Sequence, residues 1–320
     1  MSNIPEDAIK CLDKGFVRLV DSRGGDDAIV QAARVSYGKG TSKVSQDRGL
    51  IRYLMRHRHT TPFEMVEFKF HCKMPIFVAR QWVRHRTANI NEYSLRYSEA
   101  RDEFYLPDPE HIQFQSSLNK QGRLGEVSNS LKAKVSDYFQ EISNRSFEIY
   151  SELNDAGVAR ELARAVLPVN LYTEWYWKND LHNLLHFVGL RSDSHAQYEI
   201  RVFSDAMAES VKKVAPFAWE AYQDYVISGL RFPRIEQSLL EQNLPERVID
   251  DILEDIAYQI TASLHNNKPR QESELFPLYK KQGGHDSEED FKLKWDSGEI
   301  EVGNVRELRE FKGKLSSLKK

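Results

Sequence analysis

Cysteine is scarce in this chain, long apolar runs are missing, and neither sign of charge is in excess. Its 320 residues include two cysteines, Cys11 and Cys72, too few for a disulfide framework or a four-thiolate zinc site. No stretch approaches the roughly 20 apolar residues that a membrane helix needs. The opening residues, Met1 to Asp7, lack the basic and apolar regions of a signal peptide. Lys plus Arg (45) nearly cancel Asp plus Glu (48), for a net charge of -3. A dedicated nucleic-acid binder usually carries a strongly basic domain, so that class is disfavoured, whereas a local cationic pocket is not. Neither a Gly-x-x-x-x-Gly-Lys phosphate loop nor a Gly-x-Gly-x-x-Gly turn is present. What is there, 40% hydrophobic and 29% charged residues, describes a globular chain able to bury a sizeable core. The expectation is a cytoplasmic enzyme or binding protein with no membrane contact.

Periodicity divides the chain into elements. Residues 12–20 read as a strand closed by a turn at Gly24-Gly25, and 28–35 and 48–55 as helices. A loop at 57–62 leads into 65–74, where Val66, Phe68, Phe70 and Cys72 alternate with polar residues, the mark of a half-buried strand. Pro75 stands where the next helix starts, and that helix runs to about Val83. Residues 107–130 read as a loop or insertion. A long helix is expected over 131–154, with Gly157 ending it, then a short helix over 160–166 and an aromatic strand over 171–177. Helices follow at about 179–190, 196–214 and 217–227. A soft boundary near 230 separates residues 1–230 from a 231–320 extension, helical at first, then highly charged and partly disordered.

Chemistry concentrates in Arg84-His85-Arg86-Thr87-Ala88-Asn89-Ile90-Asn91-Glu92-Tyr93-Ser94-Leu95-Arg96-Tyr97. The guanidinium fork suits bidentate recognition of phosphate and of planar carbonyl-bearing rings. By composition alone, a solvated charged loop laced with ion pairs explains the segment equally well.

The segment resembles the signature of the flavin-dependent thymidylate synthases, the ThyX family. That signature is Arg-His-Arg, two variable residues, Ser, one variable, Asn-Glu, one variable, Ser, one variable, Arg-Tyr. Every fixed position matches except Asn89, where the family usually has Ser. Two further blocks are similar to family segments and in the same order: His59-Thr60-Thr61-Pro62-Phe63-Glu64, and Arg191-Ser192-Asp193-Ser194-His195-Ala196-Gln197. The resemblance covers about residues 12–228.

It implies an α/β fold of the α+β type, a mostly antiparallel sheet packed with helices, plus a helical C-terminal extension. It also implies reductive methylation of dUMP to dTMP, with methylenetetrahydrofolate as carbon donor and FAD, reduced by NADPH, as hydride donor. By resemblance, Ser36, Thr61, Glu64, Arg84, His85, Arg86, Asn91, His182 and His186 contact FAD. Gln81, Arg84, Glu92, Ser94, Arg96, Arg164 and Arg191 match nucleotide-binding positions. Arg191, His59 and Ser94 form the catalytic group, Arg191 stabilising negative charge on the pyrimidine. Ser94 lacks a neighbouring base to make it a nucleophile and is assigned to positioning substrate. Cys72, on the apolar face of its strand, reads as core. The family assembles as homotetramers with shared active sites.

His57-x-His59 and His182-x-x-x-His186 have metal-compatible spacing but no evident third ligand, so no metal is expected. Trp175-Tyr176-Trp177 is assigned to a core or subunit interface. The competing reading is a non-catalytic flavin- or nucleic-acid-binding relative that uses the arginine-rich segment on phosphates.

Overall fold

A computed structural model describes residues 4–35, 44–117 and 122–243, with isolated positions beyond (248, 276, 280, 285–291, 310, 313 and 314). The chain forms two compact units, residues 1–40 with 54–227, and residues 41–53 with 228–320. In the second unit the described residues include α10 (Arg234–Asn243) and the Phe276 and Phe291 rings with centroids 5.4 Å apart. Most of the expected 231–320 extension lies outside the described residues.

The first unit is built on a five-stranded sheet in the order β1-β2-β3-β7-β4. Its strands are β1 (Ile9–Cys11), β2 (Gly15–Arg23), β3 (Glu67–Pro75), β4 (Asn89–Glu92) and β7 (Tyr172–Asp180), with every neighbouring pair antiparallel. A separate hairpin pairs β5 (Gln113–Gln115) with β6 (Arg123–Glu126). The unit's helices are α1 (Asp26–Ala33), α3 (Thr61–Glu64), α4 (Ile76–Trp82), α5 (Asn129–Asp155), α6 (Arg160–Ala163), α7 (Leu181–Arg191), α8 (Tyr198–Val214) and α9 (Pro216–Tyr222), while most of α2 (Val44–Arg56) belongs to the second unit. The α+β architecture agrees with expectation.

Sequence and structure part at instructive places. The strand expected over 12–20 is a hairpin: β1 precedes it, and Leu12 turns the chain at φ 56°. Segment 84–97, without a clean period, holds β4, a short edge strand exposed along its length. The 107–130 insertion is ordered by a 3-10 turn (Pro109–His111) and the β5–β6 hairpin. Alternation in β3 fails after Cys72 because Lys73 is also buried, its Nζ reaching Glu103 at 2.7 Å. In α5 the apolar residues divide: Tyr150 is buried while Ile142 is 56% exposed.

Two junctions set the geometry. Strand β3 passes at Pro75 directly into α4, and β7 passes at Asp180 into α7, whose first turn is capped by the Asp180 carboxylate accepting from the Asn183 N–H. Because β3 and β7 are antiparallel, with Pro75 opposite Tyr172 and Glu67 opposite Asp180, the two helices leave opposite ends of the sheet. They meet at Trp82. Its fully buried ring stacks on Phe187 of α7 (centroids 4.9 Å) and meets Trp175 and Trp177 of β7 edge-on at 5.3 and 5.6 Å. Phe203 of α8 closes the cluster at 5.9 Å. Trp175 and Trp177 are therefore core, while Tyr176, on the opposite face, is 43% exposed.

Trp82→Ala should remove about 3–5 kcal/mol of unfolding free energy, the usual range for a large aromatic truncated in a packed core. Denaturant melts with an unchanged m-value would check it; a loss under 1 kcal/mol would contradict the packing described.

Candidate active site

Helix α4 ends at Trp82, and the chain turns through Arg84-His85-Arg86 to enter β4 beside β7. The His85 backbone N–H donates to the Trp82 carbonyl at 2.9 Å, so the imidazole is fixed relative to the aromatic cluster. Its ring meets Phe187 edge-on at 4.9 Å and His186 at 6.0 Å, both on α7. At the last residue of that helix, Arg191 Nε donates to His85 Nε2 at 3.0 Å. An arginine cannot accept a hydrogen bond, so Nε2 is the acceptor and the ring proton sits on Nδ1. Electrostatics agree: desolvation, then the Arg191 and His186 charges, push the His85 pKa down to about 4. Partial burial also lowers Arg191, which nonetheless stays cationic. With Nε committed, the terminal fork of Arg191 has no partner among the described residues.

A second group gathers around the segment after β4. Ser94 Oγ accepts from the Arg96 backbone N–H at 3.4 Å, and the Arg96 guanidinium lies 3.5 Å from Glu161 of α6. Arg164 follows α6 in a 3-10 turn. Arg160 holds the loop from the other side, through the Tyr97 carbonyl at 3.2 Å and Glu99 at 2.8 Å. No polar contact joins this group to His85, His186 or Arg191 among the described residues.

The remaining expected site residues are distributed as follows. Glu92 accepts from Thr173 Oγ1 at 2.7 Å across the β4–β7 pair, and Asn91 stands exposed opposite Tyr176. Gln81 is half-buried on α4 with its side-chain oxygen enclosed and unpartnered. Thr61 and Glu64 lie on α3, and His59 lies just before it, after Arg58 at φ 59°. His182 is half-buried in the first turn of α7. Arg84 and Arg86 are exposed and pair with no acid among the described residues. Ser36 lies outside the described residues.

Some polar clusters carry no such chemistry. Among the described residues no group of three His, Cys, Asp or Glu side chains could hold a metal ion, and no helix is long and apolar enough to cross a membrane. Both thiols are buried and unpaired, desolvation raising Cys11 to about 12 and Cys72 well above its ordinary value. A protonated, enclosed thiol is no nucleophile. Sequence reasoning missed Arg160, whose link to the site segment has no local signal.

A sequence profile described as thymidylate synthase complementing protein matches residues 18–217. The chain belongs to the flavin-dependent thymidylate synthase family. Relatives bearing that name include one from Ehrlichia ruminantium (strain Gardel), 56% identical over 233 residues that cover 73% of this chain and 78% of the relative. Another, from Rickettsia conorii, is 53% identical over 247 residues, covering 73% and 84%. A solved UMP/dUMP methylase, PolB from Streptomyces cacaoi bound with 5-Br dUMP, is 35% identical at a TM-score of 0.63, covering 68% of this chain and 98% of that one. The matched region contains His85, Arg191 and the whole Arg84–Tyr97 segment, so the site described lies within it.

His85 should titrate near pH 4, against an ordinary value of 6.5. Its folded pKa is depressed, so between those values the unfolded chain binds more protons and stability rises with pH. His85→Gln should flatten the stability profile between pH 4 and 6.5; a wild-type slope there, with the imidazole titrating near 6.5 by NMR, would contradict the neutral tautomer.

Proposed function

We infer that this chain catalyses the reductive methylation of dUMP to dTMP, with FAD as resident cofactor, methylenetetrahydrofolate as carbon donor and NADPH as reductant. The observation that carries the reading is the Arg191–His85 pair at 3.0 Å, which aims an unspent guanidinium fork from the end of a rigid helix.

The residues present fit a flavin. Arg84 and Arg86 are exposed cations without acid partners among the described residues, suited to a pyrophosphate and to an anionic reduced ring. His85 offers a neutral Nδ1–H donor, and His186 lies beside it. Thr61, Glu64, Asn91, His182 and Ser36 complete the proposed flavin set. When bound, reduced FAD supplies the hydride, chemistry that side chains cannot perform.

The chain's own residues bind, orient and stabilise. Arg191 offers fixed donors to the pyrimidine carbonyls and stabilises negative charge as C5 becomes nucleophilic. Arg96 and Arg164, with Gln81, Arg84, Glu92 and Ser94, hold the nucleotide, and the enclosed Gln81 oxygen is a ready acceptor. Ser94 positions the substrate, and His59 stands close to flavin and substrate. The thiols take no part. A homotetramer with shared sites is proposed as well, because the Arg191 group and the Arg96 group make no polar contact among the described residues. The two unpaired thiols suit a reducing compartment such as the cytoplasm.

Purified protein should be yellow and should release tritium from C5-labelled dUMP with methylenetetrahydrofolate and NADPH. Colourless protein that FAD cannot reconstitute would favour phosphate binding without catalysis, and yellow, inactive protein a degenerate relative. Arg191→Ala should reduce nucleotide affinity far more than flavin content; equal losses of both would overturn the ligand assignment. Replacing Cys11 and Cys72 together by Ala should leave turnover within about threefold, since neither thiol is ionised at neutral pH.

A further inference from the structure

The hairpin of β5 and β6 is an unusual element to keep ordered. Every residue of both strands is exposed, so apolar burial within the strands does not hold it. It forms one wall of a cavity of about 630 Å³, across from Phe77 of α4 and Phe139 of α5. Among the described residues, an ion pair ties it to α8. Arg123 Nη2 donates to both oxygens of Glu199, at 2.8 and 2.6 Å, and Arg123 Nη1 donates to the His111 carbonyl at 3.0 Å. The His111 ring in turn stacks on Tyr198 with centroids 3.5 Å apart.

Glu199 is a costly residue to bury. It is 2% exposed in the first turn of α8, where burial alone would raise its pKa. The Arg123 guanidinium, helped by the Gln197 and backbone hydrogen bonds, offsets this and holds the carboxyl below its ordinary range. Tyr105 Oη and Gln197 Nε2 supply the other two bonds, at 3.0 and 2.9 Å. Gln197 is the last residue of the strap 192–197, which begins immediately after Arg191. Elsewhere, among the described residues, the strap is tied to its own helices, by Ser192 Oγ to Ser204 Oγ at 2.9 Å and by Arg201 to the Ser194 carbonyl at 3.2 Å, and to itself, by His195 to Asp193 at 2.8 Å.

We propose that the hairpin braces the Arg191 strap by using Arg123 to neutralise the buried Glu199 charge, which makes Arg123 and Glu199 positioning residues for the nucleotide. Buried ion pairs contribute little net stability compared with apolar replacements, yet removing one partner leaves an uncompensated charge. Here that charge would sit in the opening turn of α8. Its cheapest relief is to fray that turn into water, carrying Gln197 and the strap with it. Loosening the strap frees the end of α7, where Arg191 must hold both His85 and the pyrimidine. Small displacements at such a point are costly to binding and turnover.

The inference rests on Arg191 as a nucleotide ligand, and the test keeps the two apart. Arg123→Met should raise the KM for dUMP about tenfold while flavin content stays at the wild-type level. The double variant R123M/E199Q, with the buried charge removed, should recover a KM within about twofold of wild type. Should R123M fail to fold, Arg123→Lys is the substitute, expected at about threefold because one ammonium cannot reproduce the fork. An unchanged KM in folded R123M (or in R123K, should R123M not fold), or no recovery in the double variant, would overturn the brace. An R191A protein with wild-type dUMP affinity would instead overturn the reading beneath it.

Discussion

The contact of Trp82 with Phe187 and the β7 tryptophans is the constraint on which the site depends. Strands β3 and β7 send α4 and α7 from opposite ends of one sheet. Nothing in that topology obliges the two helices to come together. The buried indole does so, because a ring of that size enclosed by four aromatic neighbours leaves few alternative packings. The cationic segment begins two residues after Trp82, so the same packing that closes the core also sets where the guanidiniums start. Core and site are thus one construction.

Much of the architecture was legible because it obeys local rules. Alternation of Val66, Phe68, Phe70 and Cys72 marks β3, Pro75 marks the start of α4, and Gly157, at φ 78°, marks the end of α5. The misses have a common physical origin. Strand β4 has four exposed residues and exists through its ladder with β7, a pairing with no trace in its own pattern. Lys73 looks like a surface residue until Glu103 arrives from a distant turn. In each case a tertiary partner overrides the local preference.

The candidate site divides along the same line. Which residues to propose for the chemistry was readable, since Arg84-His85-Arg86 and the Arg191 segment resemble family blocks. How they sit was not, because His85 and Arg191 are 106 positions apart in sequence. The insertion shows the limit more sharply. Its polar composition suggests only a loop, yet it supplies Arg123 to a buried carboxylate 76 positions away. No periodicity announces such a pair.

The neutrality of His85 links these levels. Phe187 and its neighbours partly desolvate the imidazole, and the nearby Arg191 charge adds to the cost of protonation. A neutral ring can accept the Arg191 Nε–H at Nε2, whereas an imidazolium would present a second donor and repel it. The aim of the guanidinium therefore follows from the partial desolvation of the ring, and that desolvation follows from the aromatic packing that begins at Trp82. A substitution that let water reach His85 without touching any charged residue would raise its pKa, break the bond to Nε2 and release the arginine. Burial here acts on charge placement before it acts on stability, so aromatic residues that contact no ligand belong to the electrostatics of the site as fully as the guanidiniums do.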